Sequence, residues 1–308
     1  MCIISTLYKK KFLIREDKDP AIPYLSHEDF DGLKQEADSF INPLGKRIAF
    51  FWYHYDNYIK DKVIVFLHGI GPGHTAYIRE IEKICKEGYR VLTFDYLGCG
   101  ESEGEWVISS NQPTKDLISL LEHLSLKEEV ILIGHSMGAY TALNAINKLS
   151  FVKKAVIMSG FLEIKDVLQN ALKLNIFTLS VTSYEKHLNP HLLDVDNKTY
   201  LKNTTDKLLF IHSKDDPIVG YKYTIDVINK FNNPNIETLT VLDRHHNPNY
   251  TKDAVDYMNQ TIGTYLTLMK KKKLQTIEER KEYFADKSLM RMTEQDDEVF
   301  KKIFEFIK

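Results

Sequence analysis

Residues 130–139 read Val-Ile-Leu-Ile-Gly-His-Ser-Met-Gly-Ala, and no other stretch narrows the fold as far. An apolar run with no polar face is what a strand buried on both sides of a parallel sheet requires. Beyond Gly134 the pattern changes within a few residues to an Ala-rich segment that favours helix. The chain must therefore turn from strand to helix at Ser136. Such a turn holds its central residue in a strained backbone conformation. Gly134 and Gly138, lacking Cβ atoms, let strand and helix approach each other. The Ser136 hydroxyl then projects from the turn, and the Met137 N–H stands at a helix N-terminus, aimed at developing negative charge. Gly-x-Ser-x-Gly in this setting is the pattern of a nucleophile elbow.

The flanking chain repeats the same alternation of elements. Val63-Ile-Val-Phe-Leu67 is another continuous apolar run, followed by His68-Gly-Ile-Gly71. A helix is expected from a cap at Thr75 to about Lys86, with Ile78, Ile81 and Ile84 on one face. Strand 90–95, a helix opened by Pro113, strand 154–158, strand 207–212, a helix over about 221–231, strand 236–242 and a helix over about 251–271 continue the series. Residues 37–41 and 46–55 flank Asn42-Pro-Leu-Gly45 and read as an antiparallel hairpin. Strands separated by helices imply an α/β fold, a doubly wound and mostly parallel sheet covered on both faces.

Regular alternation lapses over 161–206, where Leu172, Leu174, Ile176 and Phe177 suggest a small helical lid inserted after a sheet strand. A C-terminal helical extension follows the last helix of the sheet domain. Thr293 is expected to cap its final helix, whose apolar residues are Val299, Phe300, Ile303, Phe304 and Ile307. That face is expected to pack on its own domain, with a homo-oligomer contact as the alternative. The expected division is 1–26 as an N-terminal segment, 27–160 and 207–270 as the core, 161–206 as the lid and 271–308 as the extension.

Charge and composition narrow the partners. With 41 basic and 43 acidic residues the chain is near neutral, which argues against a dedicated nucleic-acid surface. The basic run 270–273 reads as a solvated helix end. Cys2, Cys85 and Cys99 form neither a disulfide framework nor a Cys-x-x-Cys metal motif. His54, His74 and His212 show no metal-ligand spacing, so no metal and no cofactor are expected. Residues 1–14 place Lys9, Lys10 and Lys11 after a short apolar stretch, unlike a secretory signal, and no run is long enough to span a membrane. A reduced, cytoplasmic location is the resulting expectation. The loop from His68 to Gly73 lacks the Lys-Ser/Thr of a phosphate-binding loop.

A serine hydroxyl needs a base, and that base needs an orienting acid. In a doubly wound sheet these groups belong at the carboxyl ends of strands. Such ends carry His68-Gly-Ile-Gly71, Asp215-Asp-Pro-Ile-Val219 and Asp243-Arg-His-His-Asn-Pro248, in the chain order Ser, Asp, His. On these motifs, with Phe30-x-Gly32-Leu33 and Asp95-Tyr-Leu-Gly-Cys-Gly-Glu-Ser102, residues 27–266 resemble an α/β-hydrolase of the serine esterase and lipase type. The resemblance implies Ser136 as nucleophile, Asp216 as acid in preference to Asp215, and His246 as base in preference to His245. It also implies the backbone N–H groups of Met137 and Ile70 as an oxyanion hole. His68, His135 and the turn holding Asp95 and Cys99 would be structural, and Asp215 a turn or helix-capping residue. A serine at 136 disfavours the branches of the family that use an aspartate nucleophile. The expected activity is cleavage of a small-molecule carboxylic ester, with Leu172, Ile176 and Phe177 lining an apolar acyl or aryl pocket. A thioesterase, acyltransferase or peptidase using the same groups is the alternative, and a non-catalytic ligand-binding protein a more distant one.

Overall fold

A computed structural model describes residues 6, 8–15, 17–167, 181, 183–185, 187–188 and 196–308. Eight strands form one sheet: β1 (Lys34–Ile41), β2 (Arg47–His54), β3 (Lys62–Leu67), β4 (Arg90–Phe94), β5 (Glu129–His135), β6 (Lys154–Met158), β7 (Lys207–Ser213) and β8 (Ile236–Val241). Their order is β1-β2-β4-β3-β5-β6-β7-β8. β1 pairs antiparallel with β2, and β2 antiparallel with β4. All later pairings are parallel, with Leu67 level with Gly134 and His135 level with Met158. The helices are α1 (Ile78–Lys86), α2 (Gln112–Leu124), α3 (Met137–Ile146), α4 (Asn197–Asn203), α5 (Tyr221–Ile228), α6 (Lys252–Lys270), α7 (Ile277–Phe284), α8 (Leu289–Met292) and α9 (Asp297–Ile307). Among the described residues no helix is long and apolar enough to cross a membrane.

Two hydrophobic cores lie on opposite faces of the sheet, and the pleat sorts residues between them. Val63, Val65 and Leu67 of β3 join the core under α2, α3 and α5, while Ile64 and Phe66 join the core under α1 and α9. Val130 and Leu132 of β5 part from Ile131 and Ile133 in the same way. The unbroken apolar runs of these strands thus supply both cores at once.

The last helix belongs to this architecture. Val299, Phe300, Ile303, Phe304 and Ile307 are buried beside Ile78, Ile81 and Ile84. Each such side chain contributes roughly 1.5–3 kcal/mol of gross burial free energy. The expected cap at Thr293 is not the one used. Asp296 caps α9 through Glu298 N–H and Val299 N–H, because the carbonyl of Asn249 accepts from the Asp296 N–H and the Arg244 guanidinium pairs with its carboxylate. Thr75 likewise caps nothing; it lies within the short 3-10 turn His74–Tyr77 that precedes α1.

Glu80 of α1 is buried where α1, the loop before α6 and the C-terminal extension meet. Its carboxyl accepts from Asn249 Nδ2 at 3.0 Å, and Asn249 also donates to Gln295 at 2.7 Å. Burial pushes the Glu80 carboxyl up to about 7 from 4.5. The fold therefore favours the protonated acid. Stability is fullest below about pH 4.5 and declines as the pH rises toward 7, by roughly 3 kcal/mol in all. Glu80→Gln keeps an acceptor for Asn249 without the charge. It should flatten this decline and leave the variant more stable than the parent at pH 8, as read by denaturant unfolding at pH 5 and pH 8.

Candidate active site

The turn at Ser136 has the strain that its sequence implied. Ser136 adopts φ 56° and ψ −117° between β5 and α3. A Cβ on Gly138 would stand 1.9 Å from the Leu67 carbonyl oxygen, and one on Gly134 would stand 2.3 Å from the Gly138 oxygen. Neither position admits another residue without moving backbone.

Three side chains converge there from three strand ends. His246 Nε2 lies 2.9 Å from Ser136 Oγ, and His246 Nδ1 lies 2.8 Å from Asp216 Oδ2. Because a carboxylate only accepts, Nδ1 carries the proton and Nε2 is bare, able to accept from the serine hydroxyl. Asp216 is itself held in place: its Oδ1 accepts from the N–H groups of Ile218 and Val219, each at 2.9 Å. Burial pushes the Asp216 carboxyl up. Hydrogen bonds from His212 and His246 outweigh that and hold it well below the usual carboxylate range. The structure thus brings Ser136, Asp216 and His246 together.

Asp215 and His245 form a separate pair. His245 Nδ1 is 2.7 Å from Asp215 Oδ2, and Ser213 Oγ donates to the other Asp215 oxygen. Both side chains are partly exposed, and the partner of Ser136 Oγ is His246 and not His245. Asp215 lies in the turn after β7, as one of its two expected roles had it, and caps no helix: the N-cap of α5 is Gly220, without a side-chain cap.

The loop after β3 approaches the serine closely: a Cβ on Gly69 would lie 3.3 Å from Ser136 Cβ. The Gly69 N–H is already donated to Tyr77 Oη at 3.0 Å, which leaves the Ile70 amide as the next donor along the loop. Met137 opens α3. Ile70 and Met137 line one narrow cavity. Leu172, Ile176 and Phe177, expected to line the pocket, lie outside the described residues.

Tyr77, which has no role in the sequence reading, and His135, expected there as a structural residue, complete this geometry. Tyr77 Oη also lies 2.9 Å from His135 Nδ1, and His135 Nε2 lies 2.7 Å from the His246 carbonyl oxygen. The carbonyl fixes the proton on Nε2, so Nδ1 accepts from Tyr77. Burial lowers His135 to about 3 and keeps it neutral. A continuous chain of hydrogen bonds therefore joins the Gly69 loop to the His246 backbone. Tyr77→Phe removes the middle of it. The expected result is a stability loss of about 1–3 kcal/mol and a fall in kcat of roughly 10- to 100-fold, read by thermal unfolding and steady-state kinetics. His212, buried at the end of β7, donates from Nε2 to the Val219 carbonyl at 2.9 Å and sits 3.4 Å from Asp216 Oδ2. It adds a weaker donor on the far side of the acid.

His68, Asp95 and Cys99 bring potential metal-ligating atoms within 4.8 Å of one another. Most of their polar atoms have other partners, His68 Nε2 being the exception. Asp95 Oδ1 accepts from His74 N–H and Nδ1 at 2.8 Å each, and its Oδ2 accepts from Glu101 N–H at 2.8 Å. Cys99 Sγ lies 3.0 Å from the Gly71 oxygen. His68 donates from Nδ1 to the Gly69 carbonyl, stacks on Tyr96 at 3.8 Å, and is lowered to about 4 by burial. The cluster braces the loop that carries Gly69 and Ile70.

The known proteins to which the chain is similar include hydrolases, esterases and peptidases. The family model described as serine aminopeptidase, S33, matches residues 59–203. Over 108 residues the chain is 32% identical to a 2-hydroxy-6-oxononadienedioate/2-hydroxy-6-oxononatrienedioate hydrolase of Escherichia coli O81 (strain ED1a), covering 32% of this chain and 36% of that protein. Over 86 residues it is 37% identical to a proline iminopeptidase of Clostridioides difficile (strain 630), covering 27% and 29%. The matched stretches span about a third of these relatives' length. Among solved structures it is similar to an esterase of Pyrococcus furiosus, with TM-score 0.58 and 20% identity over 83% of this chain and 96% of that one. It is also similar to a puromycin-hydrolyzing peptidase of Mycobacterium tuberculosis, with TM-score 0.53 and 15% identity over 69% and 36%. At these identities the structural likeness establishes a shared fold.

Proposed function

We propose that the chain is a serine hydrolase of the α/β-hydrolase type, cleaving a carboxylic ester through an acyl-enzyme intermediate; the serine aminopeptidase family match over residues 59–203 and the fold shared with the Pyrococcus furiosus esterase support this reading. The observation that carries this reading is the relay from Asp216 through His246 to Ser136, at 2.8 and 2.9 Å. His246 Nε2 takes the proton of Ser136 Oγ as that oxygen attacks the acyl carbonyl. Asp216 holds the imidazole in the required tautomer and stabilises the imidazolium. The N–H groups of Met137 and Ile70 receive the oxyanion. His246 then protonates the departing alcohol, and a water molecule activated by the same nitrogen releases the acyl group.

A peptidase reading has its own support in the iminopeptidase match. The cavity that Met137 lines favours the ester: its described walls include the apolar Leu13, Ile70, Val107, Pro113 and Met137, which suit an acyl tail, beside the polar His68, Tyr96 and Ser110. A panel of p-nitrophenyl esters, acyl thioesters and aminoacyl amides separates the readings. Preferential turnover of the oxygen esters is expected. A kcat/KM highest for an aminoacyl amide would replace the ester assignment with the peptidase one.

A further inference from the structure

Residues 8–15 are fastened beside the cavity that Ile70 and Met137 line. The Arg15 guanidinium donates to the carbonyls of Ser102, Gly104 and Gly100 at 2.9, 2.8 and 2.5 Å. The Arg15 N–H donates to the Glu105 carbonyl, the Val107 N–H donates to the Leu13 carbonyl at 2.7 Å, and Ile14 bridges Trp106 in antiparallel fashion. At the other end Tyr8 Oη donates to Glu185 Oε1 at 2.8 Å, and the second Glu185 oxygen accepts from both the N–H and the hydroxyl of Ser110. A segment tied at both ends holds its middle in place. Leu13 lies between the ties at Tyr8 and Arg15 and is only 1% exposed.

Leu13 forms part of the cavity that contains Ile70 and Met137, the two residues whose amides would hold the oxyanion. The same cavity is walled by Tyr96, Val107 and Pro113, and its volume is about 30 Å³. A space of that size holds roughly two water-sized groups, the bulk of the tail of a propionyl group.

Building on the ester reading above, we infer that residues 8–15 form one wall of an acyl-binding subsite, and that Leu13 restricts it to short acyl groups of roughly two or three carbons. The carbonyl of such a group would lie between Ser136 and the two amides, with its tail against Leu13. Arg15 acts through the backbone it grips and is a positioning residue. Shortening Leu13 lengthens the tail that fits. A single methylene in an apolar pocket changes kcat/KM by roughly 10-fold or more, so the effect is readable in a chain-length series.

The test compares p-nitrophenyl acetate, propionate, butyrate, hexanoate and octanoate with the full chain, Leu13→Ala and Val107→Ala. The parent should work best on acetate or propionate and lose at least roughly tenfold in kcat/KM by hexanoate. Leu13→Ala should raise hexanoate turnover roughly tenfold while changing acetate turnover much less. Val107→Ala enlarges the same cavity and keeps the backbone hydrogen bond to Leu13, so it should shift the profile in the same direction. It decides the matter alone should Leu13→Ala not fold. A parent that cleaves octanoate as readily as acetate would overturn the inference, as would folded variants with the parent's profile. Absence of turnover for every ester would instead remove the ester reading on which the inference rests.

Discussion

Ser136→Ala is expected to lower kcat for p-nitrophenyl acetate by roughly 10⁴- to 10⁶-fold and to leave the fold intact. The loss is large because the hydroxyl is the only group in the relay that can form the acyl bond; the amides of Met137 and Ile70 can still bind a carbonyl but have nothing to deliver to it. The fold should survive because Ser136 Oγ is bonded to His246 and supplies no cap to α3. Alanine keeps the φ of 56° at a similar conformational cost. A Ser136→Ala/His246→Ala double variant should lose no more than the single one, since groups that act as a unit are not additive. Circular dichroism and a melting curve accompany the kinetics. A folded Ser136→Ala protein retaining a tenth or more of the activity would be incompatible with serine as nucleophile.

Asp216→Asn is expected to lower kcat by roughly 10⁴-fold. The reason lies in the carboxylate's other partners. Oδ1 must go on accepting from the Ile218 and Val219 N–H groups, so an asparagine there would turn its NH₂ toward His246 and His212. Facing a donor, His246 Nδ1 must become the bare nitrogen. The proton moves to Nε2, and the base no longer presents a lone pair to Ser136. The same substitution sets donor against donor at His212, and stability should fall as well. Asp216 is held below its ordinary 3.8, so its contribution to stability is present above about pH 4 and disappears as the pH falls through its folded value. The gap in unfolding free energy between parent and variant should therefore be widest near neutrality and narrow in acid. A gap that widens in acid would show that the carboxylate is not held in its charged form.

The sheet was legible because its central strands are buried on both faces. A run such as Val63 to Leu67 then has no polar register and cannot be mistaken for an amphipathic element. Ser136 was legible because two glycines flank it at positions where a Cβ would strike backbone. The distinction between Asp216 and Asp215, or His246 and His245, is not encoded locally. Each pair offers the same chemistry one residue apart, and which member faces the serine depends on how β7 and β8 end. Tyr77 and His135 are 58 residues apart in sequence, and no spacing rule joins them. Residues 8–15 have neither a strand nor a helix period, and their anchoring rests on one arginine finding three carbonyls almost ninety residues away. The cap at Asp296 prevailed over Thr293 for a similar reason: its partners, Asn249 and Arg244, come from a distant loop.

Covalent labelling with a short-chain fluorophosphonate, located by peptide mass spectrometry, tests the central claim most directly. Phosphonylation requires a serine activated by a base, with an oxyanion site beside it, and it does not depend on knowing the natural ester. One adduct per chain is expected, on the peptide carrying Ser136, absent in Ser136→Ala and much slower in Asp216→Asn. An untouched Ser136 in the folded parent, or an adduct that persists in Ser136→Ala, would contradict the account.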